Sequence, residues 1–316
     1  MKILITGASG FIGKHLLCAL ANDEVEVRII SRQSNLKFDD KIKQPEIIQA
    51  DISDSAVLEN AFEDIDVVIN LAAEVRNPEN FEKTNVQGVH VLANLAKKKN
   101  VKKFIHLSSV GVVGRQYSAK NIVVDESAIC LPQNGYEKSK LESEKILTEA
   151  FSDNRGRLVL LRPTNVFGDE HPRNALLNYF QTIKNGSRFI CTNDAMVNYL
   201  YVKDLVVSIR HFIFNTAAEN IYNVGNAMLF KDFFYESSRM IGSKSPLLIL
   251  PDFCFAIPEM VGYFGMDNIK VKMRSLSNHV IYSDNRIQKE IPDIYNFGIM
   301  KGLQCTIDYY RSTGKL

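Results

Sequence analysis

Six short apolar runs, spread over residues 2–163, constrain this chain more than any other feature. "KILIT", "VEVRIIS", "EIIQAD", "DVVINLA", "KFIHLSS" and "LVLLRP" are β-branched and apolar on successive residues. Strands covered on both faces of a parallel sheet have that pattern, because neither face meets water. Between them lie stretches such as "FIGKHLLCALAND" and "NVQGVHVLANLAKKKN", whose apolar residues recur at helical spacing. Strand, helix and strand repeated this often require right-handed crossovers, hence an α/β fold with a doubly wound parallel sheet. The rhythm loosens after residue 165, where "HPRNALLNYFQTIKNG" and "YVKDLVVSIRHFIFN" read as helices and "YNVG" as a short strand. The expected division is a sheet domain over 1–165, with a later contribution near 195–216, and a smaller C-terminal α/β lobe over most of 166–316. No Pro/Gly/Ser linker, low-complexity tract or internal repeat interrupts the chain.

Composition narrows the function classes. A chain of 316 residues with 46% hydrophobic content can bury a sizeable core, and its formal charge is only +2. The densest basic run, Lys97, Lys98 and Lys99 with Lys102 and Lys103 beyond it, closes an apparent helix, where cations meet the negative dipole end. It reads as a solvated helix end, and no nucleic-acid partner is expected. The five cysteines, Cys18, Cys130, Cys191, Cys254 and Cys305, show no CxxC spacing, so neither a metal site nor a disulfide framework is expected. "MKILITG" is too short for a signal-peptide core, and the longest apolar stretch, "SPLLILPDFCFAIPEMVGYFG", is broken by Pro251, Asp252, Pro258 and Glu259. The expectation is a cytoplasmic protein with no membrane span.

The first strand runs into "TGASGFIG", with Gly7, Gly10 and Gly13 at three-residue spacing as the chain turns into a helix. Such a turn needs an unusual φ, bare backbone for a pyrophosphate and a tight helix–strand contact, and glycine answers each need. The helix N-terminus then offers N–H groups and a positive dipole end to phosphate. At the end of the second strand an acidic residue would bind a ribose 2′-hydroxyl, but the sequence has Ser31 and Arg32. A hydroxyl and a guanidinium suit a 2′-phosphate, so NADP(H) is expected over NAD; the plainer reading is a loop arginine in solvent. Asp51, ending the third strand, suits either an adenine amino group or a helix N-cap. Ala72 and Ala73 after the fourth strand leave room for the cofactor to pass close to backbone.

"TGASGFIG", "NLAA", Asn85 in "TNVQG", "LSSVGVVG", "YEKSK", "LRPTNVFG" and the late "YVKDL" together resemble the extended short-chain dehydrogenase/reductase family over essentially the whole chain. The last segment is similar to its nucleotide-sugar enzymes. The resemblance implies a Rossmann fold and a catalytic set of Ser109, Tyr136 and Lys140. Chemistry agrees with the pair: Lys140, four residues after Tyr136, shares its helix face, and an ammonium there would favour the phenolate and lower a pKa that starts near 10. Tyr136 would be the general acid, Lys140 would tune it and bind ribose hydroxyls, and Ser109 would hold the reacting oxygen. The same resemblance implies a dinucleotide lined by Gly7, Ser9, Gly10, Phe11, Ile12 and Gly13, by Ser31, Arg32, Asp51 and Ile52, by Leu71, Ala72 and Ala73, and by Tyr136, Lys140, Pro163 and Val166. It places Ser108, Asn165, His171 and Arg274 at the substrate, with polar loop roles as the plain alternative for Asn165 and His171.

Which reaction follows turns on two positions. The family's 4,6-dehydratases carry an Asp-Glu pair where this chain has Val110 and Gly111, and its GDP-fucose synthases carry a cysteine at the position of Gly111. Neither valine nor glycine moves a proton, so dehydration and 3,5-epimerisation are not expected. The expected activity is NADPH-dependent reduction of a nucleotide-linked 4-keto-6-deoxy sugar. The alternatives are a 4-epimerase with tightly held NAD, a dihydroflavonol-reductase-like carbonyl reductase, and a non-catalytic NADP-sensing protein. A diphosphate-gripping arginine of relatives is replaced by Val197, with Arg274 or Arg188 as substitutes. Relatives pair two helices, here near 82–99 and 136–151, into a dimer, and Val86, Val89, Leu92 and Leu95 make a stripe suited to that unless the stripe faces the sheet.

Overall fold

The computed structural model describes residues 1–38, 42–114, 116, 121–152, 156–251, 254 and 278–316. The six apolar runs form strands β1 (Lys2–Thr6), β2 (Glu26–Ser31), β3 (Glu46–Gln49), β4 (Val67–Asn70), β5 (Lys103–Leu107) and β7 (Leu158–Pro163); the short β6 (Ile122–Val124) lies elsewhere. A seventh strand, β11 (Ile221–Val224), completes a parallel sheet in the order β11-β7-β5-β4-β1-β2-β3. The reversal of order between β1 and β4 opens a crevice at the strand carboxyl ends, the usual ligand position in such sheets. The chain is a doubly wound Rossmann α/β fold.

Alternate residues of each strand serve different cores. Ile3, Ile5, Ile29, Ile69 and Ile105 pack under helices α1 (Phe11–Leu20) and α6 (Val202–Phe214). Leu4, Val68, Phe104, Leu158 and Leu160 face α3 (Gly88–Lys98) and α4 (Gly135–Ala150) on the other side. Both faces are dry, which is why the strand runs are continuous and not alternating. The late contribution to the sheet domain therefore includes α6 and, beyond the expected boundary, β11.

The second region is built from β8 (Asn165–Phe167), β10 (Met196–Tyr201) and β12 (Asn226–Leu229), with a smaller pair, β9 (Phe189–Thr192) and β13 (Leu247–Leu250). Helices α5 (Ala175–Lys184), α7 (Phe230–Ile241) and the last helix, Gly298–Ser312, pack on it through Phe180, Phe233, Leu303 and Ile307. No helix among the described residues is long and apolar enough to cross a membrane.

Two sequence expectations about surfaces are resolved here. Lys98, Lys99 and Lys102 are paired with Glu59, Glu63 and Asp66, and Lys103 donates to the carbonyls of Phe212 and Asn215. The basic run is thus a charge-compensated helix end. Val89, Leu92 and Leu95 are buried against the sheet within the chain, so the stripe proposed for a homodimer belongs to the interior. Val86, the first residue of the stripe, is half-buried, and the buried three are no evidence for a dimer.

Candidate active site

The glycine turn is built as its sequence requires. Gly7 has φ +70°, and a Cβ on it would lie 2.7 Å from the Ala72 nitrogen and from the Leu71 carbonyl carbon. A Cβ on Gly13 would lie 2.4 Å from the Gly7 oxygen. Gly10 is the N-cap of α1 without a side-chain bond, so the N–H groups of the first turn are left for a ligand. In front of this turn lies a groove of about 300 Å³, lined by Gly7, Ser9 and Gly10, by Ser31 and Arg32, by Asp51 and Ile52, and by Leu71, Ala72 and Ala73. Ile30, Gln33, Ala50, Glu74 and Thr84 complete it. Phe11 and Ile12 follow as the half-buried first residues of α1. Bare backbone, exposed N–H groups and that shape fit a dinucleotide.

At the adenine end the polar groups differ from simple expectation. The Ser31 hydroxyl accepts the Gln33 N–H at 3.0 Å, and Arg32 is exposed. Glu74 accepts the N–H groups of Val75, Arg76 and Asn77 through one oxygen; these bonds hold its carboxyl below the usual range, and the charge of Arg32 adds to the effect. Asp51 is not an N-cap: Asp54 caps the short helix α2 (Ser55–Leu58). Burial works to raise the Asp51 pKa, but bonds from Ser53 and the 3.0 Å ion pair with Lys83 pull it down to about 2.

"GYEKSK" opens α4 through a capping box: Asn134 accepts the Glu137 N–H, and Glu137 returns to the Asn134 N–H. Tyr136 therefore sits in the first turn of the helix, next to the Phe81 ring. Ser109 ends the loop after β5 and its Oγ accepts the Gly111 N–H at 3.0 Å, which leaves its proton for a ligand oxygen. Lys140 differs from expectation. Its Nζ lies 2.5 Å from the Leu107 carbonyl and 3.2 Å from His106 Nε2, and the side chain is 1% exposed. Because α4 packs over β5, a four-carbon stem reaches the strand end. Burial raises the Tyr136 pKa, while Arg173 opposes it. Burial also lowers Lys140 to about 8.

The remaining expected residues are dispersed by the same packing. Ser108 is buried and donates to Glu144, which is held by Arg162 at 2.6 and 2.9 Å. Its hydroxyl is committed to that pair in the interior, whereas Ser109 caps the turn that follows β5. Pro163 is buried at the end of β7 and Val166 is half-buried between two cores. Asn165 is exposed and donates to the Asn198 carbonyl, leaving its own oxygen open. The His171 Nδ1 is turned to the backbone of Arg173, the ring meets Phe11 edge-on at 4.8 Å, and burial lowers its pKa. Arg274 lies outside the described residues, and Arg188 is exposed just before β9.

Several residues at the site were not singled out from the sequence. Arg76 donates to the Pro172 carbonyl at 3.4 Å and Arg173 to the Val75 carbonyl at 3.2 Å, so the loop after β4 and the loop after β8 are tied reciprocally. Two guanidiniums that hold only neutral oxygens are available to an anion. Asn85, buried, clamps the first loop by accepting the Glu74 N–H and donating to the Glu74 carbonyl and Ser139 Oγ. Val197 packs against the aromatic cluster of Tyr179, Phe189 and Phe233, with Tyr199 stacked on Phe233 at 5.0 Å. Only the proximity of Arg173 to His171 in "HPRN" could have drawn attention to these loops.

Known proteins bear on this geometry. The chain is 29% identical over 251 residues to a dTDP-D-glucose 4,6-dehydratase of Dictyostelium discoideum, a match covering 71% of this chain and 58% of that protein. It is 29% identical over 293 residues to the N-acetyl-alpha-D-glucosaminyl-diphospho-ditrans,octacis-undecaprenol 4-epimerase of Escherichia coli O157:H7, covering 86% and 84%. Its fold matches the Bordetella bronchiseptica enzyme WbmG in complex with NAD at a TM-score of 0.76 and 20% identity, over 100% of this chain and 95% of that one. The sequence model of the NAD dependent epimerase/dehydratase family matches residues 3–225, and this chain, with its glycine turn and Ser109 just beyond the carboxyl ends of inner strands β1 and β5, belongs to that family.

Proposed function

We propose that the protein interconverts the hydroxyl and keto forms at C4 of a sugar carried on a diphosphate, as a 4-epimerase. The observation that carries the reading is the composition of the proton-handling groups beside Ser109. Tyr136 is there, whereas Val110 and Gly111 stand where elimination of water would need acids. A side chain on Gly111 would meet Glu137 Cγ at 3.2 Å, and the Glu137 carboxylate is committed to the Gln133 and Asn134 N–H groups. A relative matched over 86% of this chain and 84% of its own length is a 4-epimerase, which supports the same choice.

In this mechanism the dinucleotide, when bound, takes and returns a hydride. The chain does the rest. Tyr136 Oη, ionised with the help of the positive charge that an oxidised nicotinamide would bring beside it, would take the proton from the sugar hydroxyl and return it, with Ser109 donating to the same oxygen. Tyr136 is half-buried, so transfer takes place largely away from water. Arg76 and Arg173 exchange their carbonyl bonds for the diphosphate, a role that the apolar surroundings of Val197 leave vacant in β10. A nucleotide and a polyprenyl group present the same sugar diphosphate ester.

A second reading, single reduction of a 4-keto-6-deoxy sugar by NADPH, is favoured by Ser31 and Arg32. The test separates the two. The purified protein is offered UDP-, dTDP- and GDP-sugars and a short polyprenyl diphosphate sugar without added cofactor, and separately a 4-keto-6-deoxy sugar with NADPH. Epimer formed without net cofactor consumption is expected; stoichiometric NADPH oxidation would establish reduction instead. Tyr136→Phe should lower either turnover by about 10²–10⁴-fold while dinucleotide binding persists. Wild-type turnover in that variant would overturn both readings.

A further inference from the structure

The register of three neighbouring parallel strands places Thr6, Asn70 and His106 side by side. Each is at most 1% exposed, as are Lys140 and Ser143 on the overlying helix. Their polar atoms form a continuous chain. The Ala72 N–H donates to Thr6 Oγ1 at 3.2 Å, Thr6 donates to Asn70 Oδ1 at 2.6 Å, and Asn70 Nδ2 faces His106 Nδ1 at 3.0 Å. His106 Nε2 then lies 3.2 Å from both Lys140 Nζ and Ser143 Oγ, while Ser143 donates to the Lys140 carbonyl at 2.7 Å.

The direction of this chain follows from its first member. A backbone N–H only donates, so with Thr6 passing its proton to Asn70 Oδ1, the amide nitrogen of Asn70 donates to Nδ1. A ring that accepts at Nδ1 and is neutral carries its proton on Nε2. Burial keeps the His106 pKa well below its ordinary value, with the charge of Lys140 acting in the same direction. The Nε2–H is shared between Ser143 Oγ, whose own proton is given to the Lys140 carbonyl, and Nζ; toward Nζ it opposes an ammonium, since both are donors, and bonds an amine.

We propose that His106 is a positioning residue for Lys140, holding Nζ between its Nε2–H and the Leu107 carbonyl and favouring the amine over the ammonium. The charged or titratable groups around Lys140 are His106 from β5, Tyr136 and Glu144 from its own helix, and Arg162 from β7, which is paired to Glu144. Of these only His106 touches Nζ. Burial is the main cause that lowers Lys140 and Glu144 opposes it; His106 adds to the effect from the strand side, and the hydrogen-bond chain that orients its ring ends at Ala72, which lines the cofactor groove. The inference rests on Tyr136 and Lys140 forming the proton-handling pair, but its test needs neither substrate nor dinucleotide.

In protein carrying ¹³C-labelled lysine, the Lys140 Cε resonance, assigned by its loss in Lys140→Arg, is followed with pH. The wild-type midpoint is expected near 8. His106→Phe should raise it by about one unit, the effect of one lost hydrogen bond, and His106→Gln, which keeps a donor near the Nε2 position, should restore it. Thr6→Val, nearly isosteric, breaks the orienting chain upstream and should shift the midpoint the same way if His106→Phe fails to fold. An unchanged midpoint in the folded variants, or a Gln variant shifted as far as the Phe variant, would overturn the proposal. Failure to turn over any sugar with a normal Lys140 titration would instead count against the functional reading alone.

Discussion

Adding one methyl group to Gly13 tests the cofactor site most directly. The Cβ of Gly13→Ala would lie 2.4 Å from the Gly7 oxygen and 2.5 Å from Ala8 Cα, all of it backbone. Against an ordinary C···O contact of about 3.3 Å the first is short by about 0.9 Å, and no rotamer relieves it. The start of α1 must move off the turn by that amount. Overpacking of this kind costs about 1–3 kcal/mol of stability. Displacing phosphate-binding N–H groups by nearly 1 Å should weaken dinucleotide binding by roughly 100-fold, the scale on which positioning errors of that size act. Gly10→Ala is the control: its Cβ would meet only the Gly7 oxygen, at 3.1 Å, and otherwise face the groove. It should lose affinity with little change in melting temperature. Calorimetric titration with NAD and NADPH and thermal melts of both variants supply the readouts. A Gly13→Ala protein that melts and binds as wild type would refute the argument.

Other outcomes follow from single contacts. Arg32→Ala should weaken NADPH by about 1.5–3 kcal/mol and leave NADH unchanged, as measured by titration; equal losses for both would remove the 2′-phosphate role. Asn85→Ala should cost about 2–3 kcal/mol in denaturant unfolding, because three hydrogen bonds of a buried side chain are lost at once and Glu74 keeps unpaired backbone groups. Asp51, depressed to about 2, contributes stability that is fully present above its unfolded pKa near 4 and is lost as pH falls from about 4 toward 2. Asp51→Asn should flatten acid unfolding in that window, and an unaltered acid limb would show that the Lys83 pair contributes nothing.

The sheet was legible because burial on both faces leaves an unbroken apolar run, and the glycine turn because backbone crowding admits no other residue. The assignment of partners was less so. Tyr136 and Lys140 share a helix face, but that spacing does not say whether the long lysine stem turns to the phenol or to the strand beneath. Ser108 and Ser109 were both read as site residues, although the Ser108 hydroxyl is committed to the buried Glu144–Arg162 pair. The stripe Val89, Leu92 and Leu95 was equally consistent with a sheet or a second copy, and tertiary packing decided it. Arg76 and Arg173 are nearly a hundred positions apart, and nothing local marks residues that meet only through loop closure.

The Ser108–Glu144–Arg162 cluster joins β5, α4 and β7 through a buried ion pair. Ser108 adjoins Ser109, and Glu144 lies one helical turn beyond Lys140, so the two halves of the proposed catalytic set are bolted to a common frame and loosen together. The loops carrying Arg76 and Arg173 are exposed, and what ties one to the other is a pair of guanidinium bonds to carbonyls. Division of labour of this kind makes the molecule modular: under the proposed function, exchanging these loops would retarget it while the buried frame is carried over unchanged.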